Sequence, residues 1–202
     1  MSLDRDALVA GLERLGPAME RDAEMLNAAD GALGDGDLGV TMTRGMGLVL
    51  EQTGEMPDDM GQALLTCAQA FTKSSGSSYG TLLATGLMAA AKAVRGETEV
   101  PPARVSALLT AALDAMQARG KAELGGKTVL DSLDAMARAT DGLTEPDAVA
   151  DAAARAADAA LAEFRDRPAT VGRARIFGDK SVGMDDPGML AMARIVHALT
   201  AR

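Results

Sequence analysis

Apolar residues recur along this chain at helical spacing, broken by recognisable stops, and that pattern restricts it to a fold made of helices. Leu8, Leu12, Leu15, Met19 and Met25 form one stripe along a first segment, about Asp4 to Ala28. The second segment covers about Leu38 to Glu51, the third about Asp58 to Phe71, and the fourth about Tyr79 to Val94, before Gly96. Pro101 and Pro102 open the fifth, as proline does at a first turn, and Gly120 closes it. The sixth runs from about Lys127 to Ala139, and the seventh, rich in alanine with Pro146 at its start, from about Glu145 to Phe164. The eighth begins near Pro187 and continues to the C-terminus. Aromatics are only 2% of the residues, and the apolar content is Ala, Leu, Met and Val, mostly strong helix formers. An all-α fold is expected, with residues 1–202 as a single domain: 202 residues, 48% hydrophobic, can bury a core without disulfides.

The net charge of −9 opposes broad electrostatic binding to nucleic acid or anionic membranes. The single Cys67 excludes an internal disulfide and a multi-cysteine metal site. No apolar run approaches the ~18 residues of a membrane span, and the N-terminus lacks a signal core, so a cytoplasmic protein is expected.

The connections fall into two kinds. Loops one, three, five and seven are Asp30–Asp37, Thr72–Ser78, Gly120–Gly126 and Arg165–Asp186; they hold most of the glycines with clustered Asp, Ser, Lys and Arg. The intervening loops read as ordinary turns. If neighbouring helices run antiparallel, as short connections favour, all four odd loops meet at one end. A 16-residue helix is about 24 Å long, so the two ends cannot share a site. Chemistry is expected at that one rim.

The first odd loop places Asp30, Asp35 and Asp37 within eight residues, separated by glycines that let the carboxylates turn inward. Three uncompensated carboxylates repel one another, and a bound cation relieves them. Oxygen ligands with no nearby His or Cys point to Mg²⁺, Mn²⁺ or Ca²⁺ rather than zinc, and the spacing does not fit an EF-hand. A plainer use for Asp37 is to cap the second helix.

Thr72-Lys73-Ser74-Ser75-Gly76-Ser77-Ser78 precedes the fourth helix and offers hydroxyls, backbone N–H groups and a helix N-terminus to an anion. Lys73-Ser74 lacks the upstream glycines of a Walker A loop. Gly76-Ser-Ser78-Tyr-Gly80 matches the nucleophile-elbow pattern, but the context is helical and the one histidine, His197, lies in the last helix. Lys127, after Gly125-Gly126, reads as an exposed lysine or a phosphate contact. The long Gly172–Gly188 stretch carries Ile176, Phe177 and Val182 and suits a wall or lid over a ligand. Cys67 and His197 read as structural or surface residues, and the 13 Met as core filler.

Taken in order, Asp30-x4-Asp35-Gly-Asp37-x-Gly39, Ser74-Ser75-Gly76 with Tyr79-Gly-Thr81, Gly120-Lys-Ala-Glu-x-Gly-x-Lys127-Thr128, Gly172-Arg173-Ala and Asp186-Pro187-Gly188 resemble the L subunit of dihydroxyacetone kinase (DhaL) over nearly the whole chain. The resemblance implies an eight-helix antiparallel up-and-down barrel or bundle with the nucleotide site at one end. It implies that Asp30, Asp35 and Asp37 hold a pair of Mg²⁺ ions on the phosphates of ADP or ATP. Ser74, Ser75 and Gly76 would contact phosphate, with Leu38 (through its backbone), Thr41 and Lys73 as further phosphate contacts. Thr128 and Val129 would lie near the base, and Gly172, Arg173, Asp186, Pro187 and Gly188 would close over the nucleotide. A separate DhaK-like subunit would hold the ketose, so this chain would act as a kinase only with that partner. The phosphoryl source is either exchangeable ATP or a phosphotransferase-system protein acting on retained ADP. A nucleotide-binding regulatory module without transfer activity is the rival reading. The chain departs from the family pattern at Leu38, where His is usual, at Gly126, where Asp is usual, and at Lys73, in place of Gly.

Overall fold

The computed structural model describes residues 2–74 and 78–201. Among them are eight α-helices: α1 (Arg5–Leu33), α2 (Leu38–Leu50), α3 (Met60–Ser74), α4 (Ser78–Ala93), α5 (Val105–Gly120), α6 (Val129–Thr140), α7 (Pro146–Arg165) and α8 (Pro187–Thr200). Each packs on the next, and α8 returns to α1, so the antiparallel helices form a closed ring. The expected all-α, up-and-down architecture is therefore the one observed.

The core is built as the apolar stripes predict. Met19, Leu26, Met42, Met46 and Val49 from α1 and α2 are almost wholly buried with Ala63, Cys67 and Phe71 of α3 and Ala191 of α8. A second cluster joins Leu113 and Met116 of α5 to Leu133 and Met136 of α6, Ala157 of α7 and Val196 of α8. Unbranched methionines fill the irregular gaps left by an interior almost without aromatics.

Several boundaries differ from the sequence reading, and each difference bears on the rim. α1 continues to Leu33, past the expected stop at Ala28, so Asp30 stands on the last helical turn rather than in a loop. One glycine, Gly31, costs a helix only ~1 kcal/mol and does not end it. α6 starts at Val129 rather than Lys127, because Lys127 has a positive φ of 61° and Thr128 is the N-cap. The last odd loop contains a 3-10 stretch, Arg173–Ser181, broken at Gly178.

Loops two and four meet at the far end. The Asp59 carboxylate accepts from the backbone N–H groups of Gln62 (3.0 Å) and Gly96 (2.9 Å). Two short strands pair antiparallel beside them, β1 (Leu3–Asp4) with β2 (Glu99–Val100), an element the sequence reading did not contain.

The α1–α2 contact positions the acidic loop. Gly39 packs so tightly on α1 that an added Cβ would stand 2.1 Å from the Ala23 carbonyl oxygen. Backbone cannot yield as a flexible side chain can, so Gly39→Ala should cost about 3 kcal/mol, a fall of roughly 10 °C in Tm for a domain of this size. Gly47, on the exposed face of the same helix, would meet nothing within 4 Å. Gly47→Ala should instead gain ~0.5–1 kcal/mol. Thermal melts of the two variants check this opposition.

Candidate functional site

Loops one, three and seven border one cleft of about 140 Å³, and the start of α6, just after loop five, completes it. Its walls come from the ends of four helices. Asp37 and Leu38 begin α2, Ser78 and Tyr79 begin α4, Thr128 and Val129 begin α6, and Asp186, Pro187 and Gly188 begin α8. Helix N-termini present unpaired N–H groups and the positive end of the helix dipole, so four of them favour an anionic occupant. Val171, Gly172, Arg173 and Ala174 form the remaining wall. The space continues past Thr128, Val129 and Val171 into a recess of about 660 Å³ lined in part by Leu82, Met116 and Leu130.

Asp30, Asp35 and Asp37 each offer a carboxylate oxygen, and these oxygens lie within 4.8 Å of one another. Gly36, with φ 77°, makes the turn between the last two. The Asp30 carboxylate accepts from the Asp37 backbone N–H at 2.9 Å, which pins the loop's end to α1. Burial raises the Asp37 pKa, and the charges of Asp35 and Asp30 raise it further, while Arg173 opposes them. Arg173 forms an ion pair with Asp35 across the cleft, joining the wall to the acidic loop.

Asp37 occupies the N-cap position of α2, yet its side chain makes no capping hydrogen bond. Asn27, on α1, supplies the cap instead: its Oδ1 accepts from Gly39 N at 2.8 Å and Val40 N at 3.3 Å. The plainer role for Asp37 is therefore taken by a residue the sequence reading did not single out. Three carboxylates with no nitrogen or sulfur ligand suit a hard divalent cation such as Mg²⁺.

The model of the DAK2 domain family matches residues 32–201. The chain belongs to the DAK2 domain family. Among curated relatives, it is 30% identical over 200 residues to the ADP-binding subunit DhaL of PEP-dependent dihydroxyacetone kinase 1 from Listeria innocua, covering 98% of this chain and 97% of that one. It is 35% identical over 201 residues to human triokinase/FMN cyclase, where 96% of this chain spans 34% of the relative. Its fold matches the crystal structure of the dihydroxyacetone kinase from C. freundii in complex with AMP-PNP and Mg²⁺, with a TM-score of 0.75 at 22% identity, covering 99% of this chain and 34% of that one.

Of the positions singled out in the sequence, Asp30, Asp35, Asp37, Leu38, Thr128, Val129, Gly172, Arg173, Asp186, Pro187 and Gly188 line this cleft. Ser75 and Gly76 lie outside the described residues. Ser74 ends α3, where its hydroxyl donates to the Phe71 carbonyl at 3.1 Å. Lys73 is exposed one residue earlier, and Thr41 is buried within α2; neither lines the cleft. The Leu38 side chain is 3% exposed and joins the core. Gly126 serves packing: a Cβ there would meet Val171 Cγ2 at 2.6 Å.

Lys127 corrects both earlier readings of it. It is fully buried, neither exposed nor facing the cleft, and its ammonium donates to the backbone carbonyls of Arg165, Arg167 and Ser181. The adjoining turn is held by Asp131, whose carboxylate accepts from Gly125 N at 2.6 Å and Thr128 N at 2.8 Å. The Thr128-x-x-Asp131 spacing signals that capping box, whereas no local pattern marks Lys127 as buried.

Tyr79 was part of a motif in the sequence but carried no assigned role. Its hydroxyl is buried without a partner among the described residues, and burial, with the Asp186 charge, raises its pKa. Asp186 accepts from Met189 N at 2.8 Å to cap α8. Burial pushes its pKa up to about 7, against the opposing pull of backbone N–H groups and Lys127. The folded chain therefore holds a proton there that the unfolded chain, with an ordinary value near 3.8, has already lost. Stability from this group falls as pH rises from about 4 to about 7. Asp186→Asn keeps a capping oxygen and removes the charge. Denaturant midpoints at about pH 5 and pH 8 should show the variant gaining on the parent at the higher pH, by on the order of a few kcal/mol.

Proposed function

We propose that this chain is the ADP/ATP-binding component of a dihydroxyacetone-type kinase, which with Mg²⁺ passes the γ-phosphoryl group of ATP, formed on the bound ADP, to a short ketose on a separate DhaK-like subunit. The observation that carries this reading is the convergence of three carboxylates within 4.8 Å on a cleft bounded by four helix N-termini. The acids suit the metal, and the N-termini suit the phosphates that the metal would bridge. Neither set alone specifies a nucleotide; together they match a metal–polyphosphate.

In this reading Asp30, Asp35 and Asp37 hold the metal, which when bound supplies charge neutralisation for the transferring group. Ser74, Ser75 and Gly76 contact phosphate. Thr128 and Val129 face the base, whose apolar surroundings continue into the recess lined by Leu82, Met116 and Leu130. Gly172, Arg173 and the Asp186–Gly188 turn enclose the ligand. Leu38 contributes only backbone, because its side chain is committed to the core.

The acceptor site belongs elsewhere. The one histidine, His197, pairs with Asp158 at 2.9 Å and does not line the cleft, so the chain offers no histidine to hold a ketose covalently beside the metal. The Listeria relative is described as the ADP-binding subunit of a PEP-dependent kinase, and one from Lactococcus lactis as that of a PTS-dependent kinase, which supports retained ADP recharged by a phosphotransferase-system donor. ADP that survives purification and exchanges slowly with added ATP is the expected finding.

Thermal melts with ADP and Mg²⁺ test the core of the proposal. At a hundredfold excess over Kd, the pair should add about 2.7 kcal/mol, while either alone adds less. Asp37→Asn should abolish the gain without a capping loss, since Asn27 caps α2. Absence of Mg-dependent stabilisation in the parent chain would overturn the proposal.

A further inference from the structure

One buried charge has no part in that scheme. Lys127 is 0% exposed, and its three ammonium protons go to three carbonyl oxygens: Arg165 at 3.0 Å, Arg167 at 2.9 Å and Ser181 at 2.8 Å. Desolvation works against the charged form, while Asp186, Asp185 and Asp166 favour it. An ammonium in such a place adds little net stability compared with an apolar side chain of the same volume. What it fixes is position. The acceptors come from the two ends of one connection: Arg165 and Arg167 where α7 finishes, and Ser181 where the 3-10 stretch finishes.

The connection between those ends supplies Val171, Gly172, Arg173 and Ala174 to the cleft. Further bonds draw its base together. The Ser181 hydroxyl accepts from Ala169 N at 2.7 Å and donates to the Gly178 carbonyl at 2.6 Å, and Thr170 N donates to the Gly126 carbonyl at 3.2 Å. Lys127 stands at the centre of this closure, one residue before Thr128 and Val129 on the adjoining wall.

We infer that Lys127 is a positioning residue, clamping both ends of the 167–181 connection so that Val171–Ala174 stand as a preformed wall against the nucleotide without themselves being ordered by it. Lys127 does not touch the ligand. The inference rests on the Mg–nucleotide reading above.

Lys127→Met keeps the side chain's length and removes its donors. Three measurements on the parent and variant chains separate positioning from general stability. Mn²⁺ binding reads the aspartates, Mg–ADP affinity reads the wall, and tryptic cleavage after Arg173, Arg175 and Lys180 reads the clamp without any nucleotide. The expected result is unchanged Mn²⁺ affinity, faster cleavage in the connection, and Mg–ADP affinity weakened at least about tenfold, as loss of hydrogen bonds to a charged group implies. Met60→Ala, at the far end of the ring, is the control: it should lower Tm and leave both affinities alone. Where Lys127→Met fails to fold, Ser181→Ala loosens the same closure and should shift cleavage and Mg–ADP affinity in the same direction. Parent-like cleavage, or faster cleavage with parent-like Mg–ADP affinity, overturns the inference. A parent chain that binds no Mg–ADP overturns the functional reading instead, and the cleavage result still reports on the clamp.

Discussion

The rim depends on how closely α2 can approach α1. At Gly39 the two backbones nearly touch, and the missing Cβ is what permits it. That approach brings the α2 N-terminus under Asn27, so an amide oxygen from the neighbouring helix satisfies N–H groups that a local Asp would otherwise cap. Asp37 is thereby released toward Asp30 and Asp35. A wider separation of the helices would return Asp37 to the cap and disperse the cluster.

Negative charge is concentrated at this end of an already acidic molecule. The net charge is −9, and three of the acids are gathered where they repel most. Two cations serve this end of the molecule in different ways. Arg173 is half-exposed and pairs directly with Asp35. Lys127 is enclosed and satisfied by carbonyl oxygens, so it shapes the wall from behind. An arginine suits the first task, because its weakly hydrated, planar head pairs well with a carboxylate at a surface. A compact ammonium suits the second, because its three donors can reach three separate carbonyl oxygens.

Much of this was legible in the residues. The stripe from Leu8 to Met25 and the proline and glycine stops gave eight helices, and sorting the loops put the chemistry at one end. Asp30, Asp35 and Asp37 needed no tertiary information to be singled out, since three acids cluster among glycines within eight residues, whereas Thr128 and Asp186 were singled out by the resemblance to DhaL. Asn27, Lys127 and Tyr79 were not legible. Asn27 caps a helix other than its own, Lys127 bonds residues about forty and more positions away, and the buried Tyr79 hydroxyl is a product of packing. Local pattern finds groups whose partners are local. The overrun of α1 past Ala28 has the same origin: packing of α1 against its neighbours outweighs the weak stop offered by Gly31.

Closure of the ring by α8 against α1 has a temporal side. The acidic loop belongs to the first two helices, whereas the Asp186–Gly188 turn that faces it starts the last one. A chain emerging from the ribosome therefore presents Asp30, Asp35 and Asp37 long before the opposite wall exists. Contacts between such distant segments form late, because the intervening loop must first be closed. Completion of the cleft is thus tied to completion of the fold, and a partly made chain has the acids without the wall that faces them.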